Sequence, residues 1–370
     1  MFLQKINYSE LEGEPKYWKI RDVNFGPLNL IVGLNATGKT RLISVISGLA
    51  KILVKELKVD GNWEVDFKNL DNNEILNFTL QIKNNTVIKE EIAQGGKKLL
   101  ERNEEKGLLW SFRDNKRIEI FPPKNELTLS IRRDTKEFPF FEELINWAEN
   151  FHGYTFTNAR PNVIAIPATP AAILEDLNAV PFLLEEALKD SIVRDCIIKD
   201  FCDIGYPIRE MRVTSKLIPN VPPNLKLVEI QEADLSCPTE QFAMSQGMFR
   251  AFSIVVITEY ILKMNKYCTV AIDDLGEGLD YERSTKIINL LFDKIKGSKI
   301  QLIVTSNDRF LINASNMKYL NVLERQGHVV DSFNYVNSKE KFEEFESMGL
   351  NIFDFFSAKM YKDKKKDDKN

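Results

Sequence analysis

Residues 33–40 read Gly-Leu-Asn-Ala-Thr-Gly-Lys-Thr, the G-x-x-x-x-G-K-T spacing that is typical of a phosphate-binding P-loop. The two glycines let backbone N–H groups curl round a β-phosphate, which also meets the positive end of a helix dipole. In such a loop Lys39 reaches the β- and γ-phosphates of a nucleotide, and the Thr40 hydroxyl holds Mg²⁺. The predicted nucleotide-binding residues of this segment are Gly33, Asn35, Ala36, Thr37, Gly38, Lys39, Thr40 and Arg41.

The elements that must position this loop are recognisable on both sides of it. Residues 28–32 form an apolar run, Leu-Asn-Leu-Ile-Val, that suits a buried parallel strand. Residues 41–46 bring apolar side chains back at helical spacing. A strand, a glycine loop and a helix therefore follow in the order that a nucleotide site needs, which favours such a site over a chance glycine turn before a helix.

A second group of motifs lies more than 200 residues further along the chain. The apolar run 270–272 ends in Asp273 and Asp274, which has the form of a Walker B element. A carboxylate at this position can complete a Mg²⁺ shell, and the next residue can orient an attacking water. A Ser-Gln-Gly sequence at 245–247 precedes this strand by one helix, and Gly-Glu-Gly-Leu-Asp at 276–280 follows it.

Together these motifs resemble those of the ABC-type ATPases, within them the SMC/RecF/OLD-like branch, and the stand-alone AAA-type ATPases found in bacterial anti-phage defence systems. Ser245, Gln246 and Gly247 look like the family's signature, and Leu279-Asp280 looks like its D-loop. The resemblance implies bound ATP and Mg²⁺, with Asp280 beside the nucleotide. It also implies a homodimer or higher oligomer in which the signature of one subunit closes over ATP held by the other. An ordinary helix N-cap is the alternative interpretation of Ser245.

Two departures from the family pattern predict slow ATP hydrolysis. Asp274 stands where the family usually has Glu, and its carboxylate is one methylene shorter. Asn307 stands where a switch His is common, and an amide can hydrogen-bond but cannot carry charge. Asp274 and Asn307 are nevertheless the candidate catalytic residues, with Thr40 and Asp273 as metal ligands. The Q-loop of the family is not placed, although the segment 159–169 with Arg160 is a candidate.

Composition excludes several other classes of protein. The chain has 370 residues, 44% of them apolar and 28% charged, as expected of a globular protein. A net charge of −4 gives no global attraction to nucleic acid or anionic lipid, so such a contact would need a local patch. The sequence contains neither a CxxC nor an HExxH motif, so no zinc site is predicted. The longest apolar stretch, 252–262, is too short to cross a bilayer, so no membrane association and a cytoplasmic location are expected.

The resemblance and the residue pattern together predict an α/β fold, a P-loop NTPase of the ABC-type ATPase head class with an antiparallel β lobe and an inserted, mostly helical lobe. Four parts are expected: residues 1–135, the N-terminal ATPase lobe with the P-loop and the antiparallel β subdomain; 136–236, the inserted helical and mixed lobe; 237–335, the C-terminal ATPase lobe with signature, Walker B, D-loop and switch; and 336–370, a C-terminal helix and a charged tail. Disorder is expected for the charged tail, 359–370.

Individual elements are predicted from periodicity and from turn residues. Short antiparallel strands are expected between 51 and 135, with turns at Gly95-Gly96 and Asp114-Asn115. Helices are expected at 140–151, 171–203, 246–264 and 281–296, and Pro181 marks a kink or a new helix start. Extended segments are expected at 210–217, 225–231, 268–273, 300–305 and, as a pair, 318–335, with turn residues at 219–224.

The remaining features bear on partners. Too few residues follow Asn307 for the nuclease domain of OLD-type proteins, and no heptads for long coiled-coil arms occur. We therefore expect a sensor or switch with a separate effector protein, in phage defence or DNA maintenance. The first alternative, from a different class, is a non-hydrolysing ATP-bound scaffold that recruits a protein partner. The second is a transporter ATPase subunit, although the signature lacks the usual Leu-Ser-Gly-Gly-Gln form.

Two segments are candidate interaction surfaces. Between 97 and 136 basic residues cluster, so DNA or RNA is a candidate partner, while acidic residues among them equally suit a solvated face. Trp110 and Phe112 in this region are predicted as core residues rather than base-stacking groups. The Phe-rich segment 342–356 either docks an effector or packs against the ATPase core.

Overall fold

A computed structural model of the chain describes residues 1–55, 59–169, 171–215 and 225–362. The turn predicted at 219–224 and the last eight residues of the predicted disordered tail lie outside this range. The prediction of disorder is wrong for the first part of the tail, because Tyr361 is buried and its ring packs against that of Phe355. The chain divides into two compact units. The first unit comprises Met1–Phe151, Tyr267–Thr269 and Asn316–Asn370, and the second comprises His152–Lys266 and Val270–Ser315.

Strands and helices alternate irregularly along the chain. The strands are β1 (Phe2–Glu10), β2 (Trp18–Asn24), β3 (Leu28–Val32), β4 (Gly61–Lys68), β5 (Ile75–Lys83), β6 (Thr86–Gln94), β7 (Lys97–Asn103), β8 (Lys106–Ser111), β9 (Lys116–Ile120), β10 (Phe151–Thr155), β11 (Ile208–Ser215), β12 (Lys226–Glu232), β13 (Thr239–Glu240), β14 (Cys268–Asp273), β15 (Ile300–Thr305), β16 (Leu320–Gln326) and β17 (Val329–Asn334). The helices are α1 (Lys39–Lys55), α2 (Thr128–Ile131), α3 (Pro139–Glu149), α4 (Val180–Ala187), α5 (Ser191–Ile204), α6 (Gln246–Met264), α7 (Tyr281–Ile295), α8 (Arg309–Ala314), α9 (Lys339–Met348) and α10 (Ile352–Ser357).

The first unit is built on a large mixed sheet in the order β3-β16-β17-β2-β1-β4-β5-β6-β7-β8-β9. From β4 to β9 neighbouring strands run antiparallel, in agreement with the short antiparallel strands predicted between 51 and 135. Trp63, Val65 and Phe67 alternate inward along β4, since successive strand side chains point to opposite faces. The predicted turns are also present, with Gly95, Gly96 and Asn115 in the left-handed region that such turns need.

The P-loop strand lies in the mixed part of this sheet. β3 pairs in parallel with β16, with Leu30 opposite Leu320, and all five of its residues are buried. β16 pairs antiparallel with β17, which confirms the strand pair predicted at 318–335. β17 in turn runs parallel to β2. The P-loop strand therefore takes its backbone partner from the C-terminal part of the chain.

The Phe-rich segment packs within the first unit. Phe342, Phe345 and Phe355 are buried, and the ring of Phe355 lies edge-on to that of Phe342 at 4.7 Å between centroids. Of the two interpretations of this segment, packing is confirmed. The prediction for Phe112 is wrong, because its side chain is 46% exposed at the end of β8, while Trp110 is half-buried beneath the Lys97 ammonium.

The second unit contains the strand order β10-β14-β15 and a separate antiparallel group, β11-β12-β13. The first residues of β10 and β14 belong to the first unit. α6 is buried along most of its length, and α4, α5 and α7 pack against it. The predicted bounds of α6, β14 and β15 are confirmed.

Three predicted helices need correction at their ends. The helix expected at 140–151 ends at Glu149, because Phe151 begins β10. The segment 171–203 holds short 3₁₀ turns and then α4 and α5, with Pro181 in the first turn of α4, where its missing N–H costs nothing. α7 ends at Ile295, one residue before the predicted end. Among the described residues, no helix is both long and apolar enough to cross a membrane.

Candidate nucleotide-binding and signature elements

In the first unit the P-loop connects β3 to α1 with two left-handed residues. Ala36 has φ 63° and Gly38 has φ 105°, which turn the chain back onto the first turn of the helix. A Cβ atom at Gly38 would lie 2.9 Å from the Trp18 ring, so a side chain fits there neither by space nor by conformation. The Leu42 N–H donates to the Gly38 carbonyl at 2.8 Å. The loop therefore places a helix N-terminus directly behind its exposed residues.

The lysine of the motif is folded into the loop. Lys39 is only 6% exposed, and its Nζ donates to the carbonyls of Gly33 at 2.9 Å and Leu34 at 3.3 Å. The Thr37 hydroxyl donates to the Leu34 carbonyl at 2.8 Å and closes the same curl. Asn35, Ala36 and Thr40 are exposed around this ammonium. A fixed positive charge and a helix N-terminus together make an anion-binding surface.

Three residues that sequence reasoning missed, Trp18, Glu10 and Arg325, support this loop and the start of α1. The guanidinium of Arg41 lies 4.3 Å from the centroid of the Trp18 ring and pairs with the carboxylate of Glu10. These two contacts tie this predicted nucleotide-binding residue to the protein itself. The guanidinium of Arg325 donates to the Ala36 carbonyl at 3.3 Å. No local sequence pattern predicts such a partner, because Arg325 is 289 positions from Ala36 along the chain.

In the second unit the two aspartates of the predicted Walker B element share one threonine. Asp273 is 1% exposed, and its Oδ1 accepts the Thr305 hydroxyl at 2.5 Å. The same hydroxyl accepts the Asp274 backbone N–H at 2.9 Å. The other oxygen of Asp273, Oδ2, is buried, and no described residue donates a hydrogen bond to it. A buried carboxylate oxygen in need of a partner fits a hard cation such as Mg²⁺.

The backbone conformation at Asp274 restricts the residue types that fit there. Its φ of 55° lies in the left-handed region, where aspartate and asparagine are several-fold enriched among residues other than glycine. Its side chain is half-buried. The backbone conformation at this position therefore favours aspartate, in addition to any chemical role of its carboxylate.

The signature segment forms the N-terminus of α6. Ser245 is exposed, and its Oγ accepts the Met248 N–H at 3.2 Å, so it serves as an N-cap. A Cβ atom at Gly247 would lie 2.9 Å from the Gly278 carbonyl, which shows how closely the predicted D-loop packs on this turn. Gln246 is exposed beside Ser245. The corner thus presents a hydroxyl and a helix N-terminus outward.

The predicted D-loop and switch residues are also placed in the second unit. The Asp280 carboxylate caps α7 by accepting the Arg283 N–H at 3.0 Å and pairs with the Arg283 guanidinium. This backbone bond is the main cause that lowers the pKa of Asp280. Asn307 is exposed between β15 and α8. Arg160, the Q-loop candidate, borders a cavity of about 460 Å³ together with Glu175 and Asn178.

About half of the basic cluster of the first unit is paired with carboxylates. Arg102 is fully buried and donates to Glu90 at 3.1 Å, which removes it from the proposed nucleic-acid face. Burial raises the pKa of Glu90 against the opposing effect of this guanidinium. Other members of the cluster form ion pairs at the surface, namely Lys98 and Arg117 with Glu101, Lys106 with Glu119, and Arg133 with Glu142.

Comparison with known proteins gives a fold but not a sequence family. No protein-family model matches the chain, and no protein with a curated description is significantly similar to it. Among solved structures, the Smc head bound to the C-winged helix domain of ScpA aligns at a TM-score of 0.52 and 12% identity, covering 90% of this chain and 97% of that one. The Smc head domain with an extended coiled coil bound to the C-terminal domain of ScpA, from Pyrococcus furiosus, aligns at 0.52 and 11%, covering 93% and 99%.

Identities of this size establish similarity of fold alone. Both aligned structures are Smc heads and are covered almost completely. The chain therefore has the fold of an Smc head domain.

Proposed function

We propose that this protein binds ATP with Mg²⁺ and hydrolyses it slowly, and that it works as a nucleotide-gated switch. The observation that carries the proposal is the conformation of the P-loop, with the Lys39 ammonium held at the Gly33 and Leu34 carbonyls. A triphosphate would replace these carbonyls as the acceptor of the lysine's hydrogen bonds. The Smc head fold supports this assignment.

In the proposed site Thr40 and Asp273 would hold the magnesium ion. The unpartnered Oδ2 of Asp273 supports its role as a ligand. Bound Mg²⁺ would neutralise charge on the phosphates. Asp274 would orient the attacking water, and Asn307 would lie near the γ-phosphate and hydrogen-bond to it without adding charge. A short carboxylate and a neutral amide together make the expected turnover slow.

We further propose that two copies associate head to tail, each closing its Ser245–Gly247 corner over ATP held by the other. Exposure of Ser245 and Gln246 at a helix N-terminus supports this, because such a corner can accept a γ-phosphate. Both aligned Smc heads are bound to ScpA, which supports a separate protein effector for this chain. A role in phage defence or DNA maintenance belongs to the same proposal. We leave nucleic acid out of it because about half of the basic cluster, including the buried Arg102, is paired with carboxylates.

The experiment is ATP binding with a matched pair of variants. Lys39→Ala should weaken binding of a fluorescent ATP analogue by about 10- to 100-fold, since a charge-assisted hydrogen bond is lost. Lys51→Ala removes an exposed lysine of the same helix and should leave the affinity unchanged. Equal affinities of the two variants would refute the P-loop assignment.

The conformation of Asp274 favours a second candidate, an ATP-bound scaffold that does not hydrolyse. If the aspartate is kept for its φ of 55°, its carboxylate need not take part in chemistry. Steady-state phosphate release by Asp274→Asn, which suits the same backbone conformation, separates the two candidates. A switch requires the rate to fall, while a scaffold predicts the same negligible rate for both proteins.

A further inference from the structure

Arg250 is a buried cation whose two shorter hydrogen bonds go to backbone carbonyls and whose longest, at 3.5 Å, goes to Oε1 of Gln246. It lies in the second turn of α6 and is 8% exposed, a degree of burial that arginine rarely reaches without partners. Its Nη1 donates to the Glu277 carbonyl at 2.9 Å, and its Nη2 donates to the Thr157 carbonyl at 3.1 Å. The guanidinium therefore joins the signature helix to two loops that are distant in sequence.

The contact with the D-loop leaves no spare room. Gly278 has φ 82°, and a Cβ atom there would lie 2.6 Å from Nη1 of Arg250. The Gly278 carbonyl in turn faces Gly247, where a Cβ would lie 2.9 Å away. Two glycines and one guanidinium thus form a single packed layer between the signature turn and the D-loop. Close packing of this kind transmits small displacements.

The far side of the same loop is held by the switch segment. The Ser306 hydroxyl donates to the Leu275 carbonyl at 2.9 Å. The Leu275 N–H donates to the Thr305 carbonyl at 3.0 Å, directly after Asp274. Between Asp274 and Glu277, where Arg250 holds the loop, there are only two residues.

We propose that Arg250 is a positioning residue that couples the Ser245–Gly247 corner to the candidate catalytic Asp274 through the loop 275–280. When the corner contacts a phosphate, the first turn of α6 would shift. Arg250 would then pull the Glu277 carbonyl along with the helix, and the position of Asp274 would change. The coupling rests on the proposed function, whereas the contact by which Arg250 holds the loop 275–280 does not.

The enzymatic test uses Arg250→Met, which keeps the apolar stem and removes the donors. The matched control is Arg212→Met, which removes a surface arginine of the same unit that pairs with Glu229. Affinity for ATP should stay within about twofold in both variants, because the P-loop is untouched. Turnover at saturating ATP should fall about 5- to 150-fold in Arg250→Met alone. Arg250→Lys should recover part of it, since one ammonium can reach one of the two carbonyls.

A second measurement needs no nucleotide. Hydrogen exchange of the Leu279 amide, which donates to the Gly276 carbonyl at 3.0 Å, should speed up in Arg250→Met, while the Leu275 amide, held from the other side, should not change. Unchanged exchange at Leu279 in both Arg250 variants would overturn the positioning role. Faster exchange with unchanged turnover would overturn the coupling. A parental protein that binds no ATP would refute the proposed function, and the exchange result would still decide whether Arg250 holds the loop.

Discussion

At the scale of single residues, the hydroxyl of Thr305 fixes both aspartates of the candidate metal site. It donates to Asp273 Oδ1 and accepts the Asp274 N–H, and it is fully buried at the end of β15. A hydroxyl has one donor and can accept as well, so no apolar side chain of the same size can replace it. Thr305 belongs with the site although it touches neither phosphate nor metal in our proposal.

Thr305→Val should therefore be destabilising despite its similar volume. Asp273 would lose its remaining described donor and the Asp274 N–H its acceptor, at a cost of about 1–3 kcal/mol for each buried group left unsatisfied. Urea denaturation measures the loss, and Thr305→Ser, which keeps the hydroxyl, should regain most of it. A valine variant as stable as the serine variant would contradict the hydrogen-bond geometry described here.

Asp273→Asn tests the unpartnered oxygen of the same carboxylate. The change removes a carboxyl group whose Oδ2 is buried without a described partner, so the nucleotide-free protein should be no less stable than the parent. Addition of Mg²⁺ and ATP should then raise the melting temperature less than in the parent. Asp293→Asn, an exposed change on α7, is the control. An unchanged response to Mg²⁺ would remove Asp273 from the metal site.

At the scale of elements, a buried charged trio joins three helices of the second unit. The Lys294 ammonium of α7 lies 2.8 Å from Asp200 of α5 and 2.7 Å from Glu259 of α6. Two carboxylates share one cation, and the Cys196 thiol lies beside them. Burial, reinforced by Glu259, raises the pKa of Asp200 to about 6 against the opposing effect of Lys294. The packing of these helices is therefore sensitive to proton concentration.

The sign of this sensitivity follows from the raised pKa. The folded state keeps the Asp200 proton up to about pH 6, while the unfolded chain releases it near pH 3.8. The contribution of this proton to the unfolding free energy is therefore complete below pH 3.8 and is lost as the pH rises through about 6. The unfolding free energy should drop by on the order of 1–3 kcal/mol between these limits relative to Asp200→Asn. Denaturation at several pH values measures the difference. Asp203→Asn, an exposed change on α5, should follow the parent.

Elements with a strong local signal could be predicted from the sequence, and their long-range partners could not. The bounds of α6, β14 and β15 follow from continuous apolar runs bordered by Ser245, Asp274 and Ser306. The pairing of β3 with β16 depends on the path of the whole chain, which no local pattern encodes. The same reason hides Trp18, Arg325 and Arg250, whose functional contacts are with residues distant in sequence or with backbone atoms. Hydrogen-bonding side chains are therefore predicted less well than motifs.

At the scale of the whole molecule, the candidate motifs are divided between the two compact units. The P-loop belongs to the first unit, and the Walker B element, signature, D-loop and switch belong to the second. If the proposed head-to-tail dimer is correct, each complete site takes its P-loop from one copy and its signature corner from the other. Loss of either part should then be repairable by a second copy that carries it.

A mixing experiment tests this arrangement. Lys39→Ala keeps an intact signature corner, and Ser245→Arg keeps an intact P-loop while a bulky cation blocks the corner. Neither variant alone should hydrolyse ATP, whereas an equimolar mixture should recover about a quarter of the parental rate, because half of the dimers are mixed and each has one complete site.

The double variant Lys39→Ala/Ser245→Arg supplies the control, since its mixtures with either single variant contain no complete site and should remain inactive. The loss of the N-cap in Ser245→Arg should cost about 1 kcal/mol, which thermal melting checks beforehand. If Ser245→Arg is folded and binds ATP but the mixture stays inactive, the two halves of the site do not come from different copies. Activity of Ser245→Arg alone would equally contradict a site closed by the partner's corner.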